Sequence, residues 1–139
     1  MTRSMQLSLR AGEKIFINGA VLQMDRRVNI KLLNDAAFLL ESHVMQPSET
    51  TTPLRQLYFV VQTIIIEPRN ELRATAMFWE MHATLVKAFH NEAIRAALVR
   101  IGKLVEDERA FEALRTIRGL FPDEDAVLGR GERAVTPAA

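Results

Sequence analysis

The side chains able to do chemistry are few, and their spacing assembles no catalytic centre. The chain has three histidines, His43, His82 and His90, and no cysteine. His82 and His90 lie eight residues apart on a predicted helix, which rotates them about 80° from one another. No carboxylate completes a motif such as H-E-x-x-H, so partly buried or solvated histidines are the plainer reading and no metal is expected. Glu106, Asp107 and Glu108 form a carboxylate run. Paired acids do acid–base work when their surroundings drive their pKa values apart; three neighbours at a predicted helix start are better explained by the helix dipole, which favours negative charge there. Asp123, Glu124 and Asp125 read as a similar, solvated run. The glycines make neither a P-loop nor a G-x-G-x-x-G pattern, and no serine sits in a nucleophile elbow. No enzymatic activity, no catalytic residue and no cofactor is predicted.

The remaining chemistry is cationic. Arg26 and Arg27, with Arg10, Lys14 and Lys31, make a candidate phosphate-binding patch, because the planar guanidinium fork matches phosphate oxygens. Adjacent residues on a strand face opposite sides, so at most one of Arg26 and Arg27 meets a given ligand. A solubilising turn and sheet surface is the competing reading, and the residues alone favour it, since the total basic excess is small. Phe16 falls out of phase with Ile15 and Ile17. An outward aromatic on a sheet can stack an RNA base; packing beneath a helix is the favoured expectation.

Composition narrows the class. With 139 residues, the chain fits one domain with a core of its own. Hydrophobic residues make up 48% and charged residues 25%, as in soluble globular proteins. No apolar run is long enough to span a membrane, and no apolar segment near the N-terminus reads as a secretory signal. The absence of cysteine excludes disulfides and thiolate chemistry and fits a reducing cytoplasm. The net charge of +1 argues mildly against nucleic acid. The basic residues are weighted toward residues 1–46, however, so polyanion binding is expected there if anywhere.

Two periodicities meet near Pro47. Residues 6–10, 14–17 and 28–33 alternate as short strands; residues 20–23 read as the returning strand of a hairpin, and 37–40 is a fifth candidate. Asn18-Gly19 is a strong hairpin signal, and Asn34-Asp35 is a further turn. Residues 45–53 form a connector, after which Thr52 followed by Pro53 marks a helix start. The segment through Ile66 is rich in β-branched residues, so a buried strand over residues 57–66 competes, but the start signal and length favour a helix. Helical spacing recurs over residues 72–89, then beyond an Asn91 cap, then over residues 107–120. Gly102 weakens the middle one, and Pro122 is expected to end the last. The predicted fold class is α+β: a small N-terminal antiparallel β meander followed by a bundle of about four α-helices. The division is residues 1–46, β-rich; 47–122, helical and packed with it as one domain; and 123–139, a tail, loosely held from Gly129 onward.

Several segments together resemble the FlbT family of flagellar regulators. They are L-S-L-R-A-G-E-K-I-F-I-N-G-A-V (residues 7–21), D-R-R (25–27), M-Q-P (45–47), T-T-P (51–53), the run Leu57, Tyr58, Phe59, and E-D-A-V-L-G-R (124–130). Their order and spacing make the signal, which is weakest over residues 67–120. The resemblance implies a cytoplasmic post-transcriptional regulator that associates with the 5′ untranslated region of flagellin mRNA, usually repressing translation or hastening message decay, and that works beside a second regulator, FlaF. It brings no catalytic residues. The tentative RNA contacts are then Arg10, Lys14, Arg26, Arg27 and Lys31. A protein-interaction module binding flagellin or FlaF is the alternative, with the apolar residues 57–66 supplying an interface. Self-association through sheet edges is a further possibility. The stretch Leu9-Arg10-Ala11-Gly12-Glu13 is also similar to the start of the CsrA family of β-rich RNA-binding regulators. That would imply RNA contact near Arg10 and around residues 40–44, where this chain lacks that family's basic residue.

Overall fold

The structure, a computed structural model, describes residues 5–17, 20–34 and 38–134. The Asn18-Gly19 turn, Asp35, Ala37 and residues 135–139 lie outside the described residues. Five strands come first: β1 (Met5–Leu9), β2 (Lys14–Ile17), β3 (Ala20–Gln23), β4 (Val28–Leu32) and β5 (Phe38–Leu40). Five helices follow: α1 (Pro53–Ile66), α2 (Glu71–Ala88), α3 (Glu92–Glu106), α4 (Ala110–Gly119) and α5 (Phe121–Ala134). The fold is α+β, with antiparallel strands ahead of the helices.

The strands do not pair in simple succession. β1 pairs with β4 as a two-stranded ribbon, and β2 lies between β3 and β5 in a three-stranded sheet. All pairs are antiparallel. Apolar alternation explains the division. Leu7, Leu9, Ile30 and Leu32 on one face of the ribbon meet Ile15, Ile17, Phe38 and Leu40 of the sheet in a small core. A single flat sheet would leave such a face in water. The other face of β2 and β5 carries Phe16 and Leu39, which pack against the helical core. Phe16 therefore lies beneath the helices, not on the outer surface.

The helix α1 is the centre of the molecule. Thr52 caps it, its hydroxyl accepting from the Arg55 amide at 3.2 Å, and Pro53 occupies the first turn. Leu54, Leu57, Tyr58 and Val61 are almost wholly buried, each apolar side chain contributing about 1.5–3 kcal/mol. That burial overrides the modest helix propensity of the segment. It also overturns the expectation that residues 57–66 supply a protein interface, because most of that surface is spent on the core.

Two further expectations are corrected. Glu106 ends α3 and Asp107 caps it, so these acids sit at a helix C-terminus and not at a start. Glu108 follows with φ of 59°. Its amide donates to the Val105 carbonyl at 3.0 Å, and that of Arg109 donates to Leu104 at 2.8 Å, the paired bonds of a left-handed helix stop. Pro122 does not end the helical part: it sits in the first turn of α5, where its missing N–H costs nothing, and Gly129 lies within that helix.

Candidate nucleic-acid interface

The ribbon of β1 and β4 has one apolar and one polar face. The register sets Gln6 opposite Lys31 and Ser8 opposite Asn29, and all four are exposed. Ser8 donates to the Asn29 side-chain oxygen at 2.8 Å. Carried one residue past the Leu9–Val28 pair, the same register sets Arg10 opposite Arg27. The outward face of the paired strands thus carries Gln6 and Ser8 on β1 and Asn29 and Lys31 on β4, with Arg10 and Arg27 exposed one residue beyond the last pair, three cations and no carboxylate among them. The strand repeat puts Lys31 about 13 Å from Arg27, four residues along β4.

The turn between β1 and β2 fixes the basic end. Gly12, at φ of 83°, takes a conformation that favours glycine. Its amide donates to the Met24 carbonyl at 2.7 Å, and the Met24 amide donates to Glu13 at 3.0 Å. The Glu13 carboxylate is occupied by the Arg10 amide at 2.9 Å. These bonds bring the loop carrying Arg26 and Arg27 against the turn carrying Arg10. Arg26 is exposed, and its 3.9 Å approach to Asp25 joins side chains that are 86% and 94% exposed, a pairing of little energetic weight. Lys14 is separated from the others. It alternates with Ile15, so it lies on the Phe16 face of the central sheet, and its amide donates to Glu41 at 3.0 Å. The structure therefore sets Arg10 and Arg27 at the end of the ribbon whose polar face carries Lys31, keeps Arg26 beside them and sets Lys14 on another side.

A second concavity has the wrong sign for a polyanion. An open cleft of about 1430 Å³ runs between the ribbon and the helices, lined by Gln6, Leu32, Phe38, Trp79 and Phe111 among others. Its ionisable lining holds Glu71, Glu106, Glu108 and Glu112 against Arg109 and Arg115. No group of three or more potential metal-ligating side chains occurs among the described residues, and none of their helices is long and apolar enough to cross a membrane.

Sequence reasoning missed a polar latch inside the helical part. Glu124, read as solvated, is 0% exposed. Its carboxylate accepts from the Leu54 amide at 2.7 Å and the Thr52 hydroxyl at 2.5 Å, at the N-terminus of α1. Arg55 reaches the same carboxylate at 3.4 Å and grips Asp125 at 2.9 and 3.2 Å. Burial raises the Glu124 carboxyl above its ordinary value, against the opposing pull of Thr52, Leu54 and Arg55. Gln62 is a second buried clasp, accepting from the Met45 amide at 2.6 Å and donating to its carbonyl at 3.0 Å. A third joins α4 to the end of β5: Tyr58 donates to the His43 carbonyl at 2.6 Å, and Arg118 donates to the Tyr58 hydroxyl at 2.9 Å. Burial raises the Tyr58 phenol and lowers the His43 imidazole, the latter helped by Arg118.

A family model described as flagellar protein FlbT matches residues 5–128. The chain belongs to the FlbT family. Among its relatives, a protein of Rhizobium leguminosarum bv. trifolii is 52% identical over 136 residues, covering 98% of this chain and 91% of the relative. One from Agrobacterium fabrum is 49% identical over 138 residues, covering 99% and 91%. One from Brucella ovis is 52% identical over 126 residues, covering 91% and 83%. Each bears the name probable flagellum biosynthesis repressor protein FlbT. No solved structure matches the chain. The segments that carry the FlbT resemblance fall on two places in the fold. Residues 7–17 supply β1, its turn and β2, and residues 25–27 lie at the basic end of the ribbon, while M-Q-P, T-T-P and Glu124–Asp125 meet around α1 through the Gln62 clasp and the Glu124 latch.

Proposed function

We propose that this FlbT-family chain restrains flagellum biosynthesis after transcription, in the cytoplasm and without catalysis of its own. It associates with the 5′ untranslated region of flagellin mRNA and represses translation or promotes decay of the message. The observation that carries this reading is the ribbon, where Lys31 stands among Gln6, Ser8 and Asn29 on the outward face and Arg10 and Arg27 are exposed at its end, with no acid among them. A near-neutral protein reads a polyanion only through such a local excess. The names of the relatives support the repressor role, and the resemblance to the family supports the message as target.

The test is binding of the purified chain to flagellin leader RNA across a salt series. Three phosphate contacts predict a slope of about −2 in log affinity against log salt. Arg10→Ala/Arg27→Ala/Lys31→Ala flattens that slope and weakens binding, whereas Lys14→Ala changes little. Equal binding by the triple variant and the parent refutes the site. Absence of RNA binding by folded protein moves the function to a protein partner such as flagellin or FlaF, through which the message is reached indirectly.

A further inference from the structure

The helix α2 carries an apolar seam that its own fold covers only in part, Val86 touching the helical core and Trp79 also lining the cleft. Its core face is Ala74, Phe78 and Leu85. Around the opposite side, Leu72, Ala76, Trp79, Ala83 and Val86 recur at alternating steps of four and three residues, the spacing of a two-helix seam. Leu72 is 88% exposed and Trp79 38%; Ala76 and Ala83 are exposed and Val86 is half-buried. A helix already packed through one face gains nothing in solubility from a second apolar stripe.

We propose that this seam pairs with α2 of a second copy of the chain, the two helices running antiparallel about a two-fold axis. Two complementarities on the helix select that occupant. In an antiparallel pair each position of one seam column faces a position of the other. Setting Ala76 against the partner's Trp79 then also sets Leu72 against the partner's Ala83. Large side chains meet small ones in the layers built from Leu72, Ala76, Trp79 and Ala83, and the alanines let the backbones approach. Beside the seam stand Arg73 and Glu80, both exposed. In this register Arg73 lies about 3 Å along the axis from the partner's Glu80, and the symmetry makes the pair twice. The like-charged partner's Lys87 is more than twice as far off. A parallel pair would instead stack Leu72 on Leu72 and Trp79 on Trp79, and would set the flank that carries Arg73 and Glu80 on the side away from its own copy.

Sedimentation equilibrium of the full chain over a concentration series tests the proposal. The expected result is reversible association toward twice 15.7 kDa. Ala76→Arg, at an exposed helical position, leaves circular dichroism unchanged and abolishes association. Arg73→Glu and Glu80→Arg each weaken the dimer by about fivefold, from two repulsive pairs per dimer, and combining them restores it to within about twofold. A chain that stays monomeric to high concentration overturns the proposal. So does a dimer untouched by Ala76→Arg, which would place association elsewhere, such as the sheet edges. Failure of the charge swap to rescue overturns the antiparallel register.

Discussion

Removing the Glu124 side chain should be among the most damaging single changes to this fold, although the residue lies in a run of acids that looks solvated. Two short hydrogen bonds end on its buried carboxylate, from the Leu54 amide and the Thr52 hydroxyl. Bonds to a charged group contribute about 1.5–3 kcal/mol each, and the cost of holding the carboxylate out of water offsets part of that. Arg55 adds little, because it is partly exposed and its better contacts are with Asp125. Glu124→Ala also leaves the Leu54 amide, one of the unpaired donors of the α1 N-terminus, buried without an acceptor. The expected loss is about 3 kcal/mol, a fall of roughly 10 °C in Tm. Glu124→Gln keeps one acceptor and should lose about half as much. The neighbouring Asp123→Ala, on an exposed residue, should change stability by less than about 0.5 kcal/mol. Urea denaturation followed by circular dichroism reads all three. If Glu124→Ala unfolds within about 0.5 kcal/mol of the parent, the latch is not what holds α5 and the start of α1 together.

Two other outcomes follow from local geometry. Because burial raises Glu124 above its ordinary value of 4.5, the folded chain binds that proton more readily than the unfolded one. Its contribution is thus fullest below 4.5 and declines as pH rises through the folded value. Denaturation midpoints of the parent relative to Glu124→Gln should therefore rise as pH falls toward 4.5, and a constant difference contradicts the assignment. Glu108 occupies a left-handed position that costs a residue with a Cβ about 1–2 kcal/mol, and it adds negative charge at the C-terminus of α3, where the dipole disfavours it. After the greater freedom of glycine in the unfolded chain is subtracted, Glu108→Gly should stabilise by about 0.5–1 kcal/mol in the same urea assay; destabilisation would refute the strain.

Local signals in the sequence determined the elements. Alternation marked β1, β2 and β4, the hairpin signal marked the return of β3, Thr52-Pro53 marked the start of α1, and Asn91 marked the cap of α3, because turns, caps and apolar periods act within a few residues of chain. The order of short motifs placed the chain in its family. Contacts between residues far apart in sequence were decided only by the tertiary structure. Nothing near Glu124 reveals that it caps a helix begun 70 residues earlier, so three adjacent acids read alike until one is buried. Gly102 looked like a weak point in a helix, yet a Cβ there would stand 3.0 Å from His82 and 3.4 Å from Trp79, so close helix packing at this point favours glycine. The basic residues follow the same rule. Their identities were legible, but which of them meet at the ribbon depended on β1 choosing β4 as its partner. That choice follows from how two apolar faces bury each other, not from either strand alone.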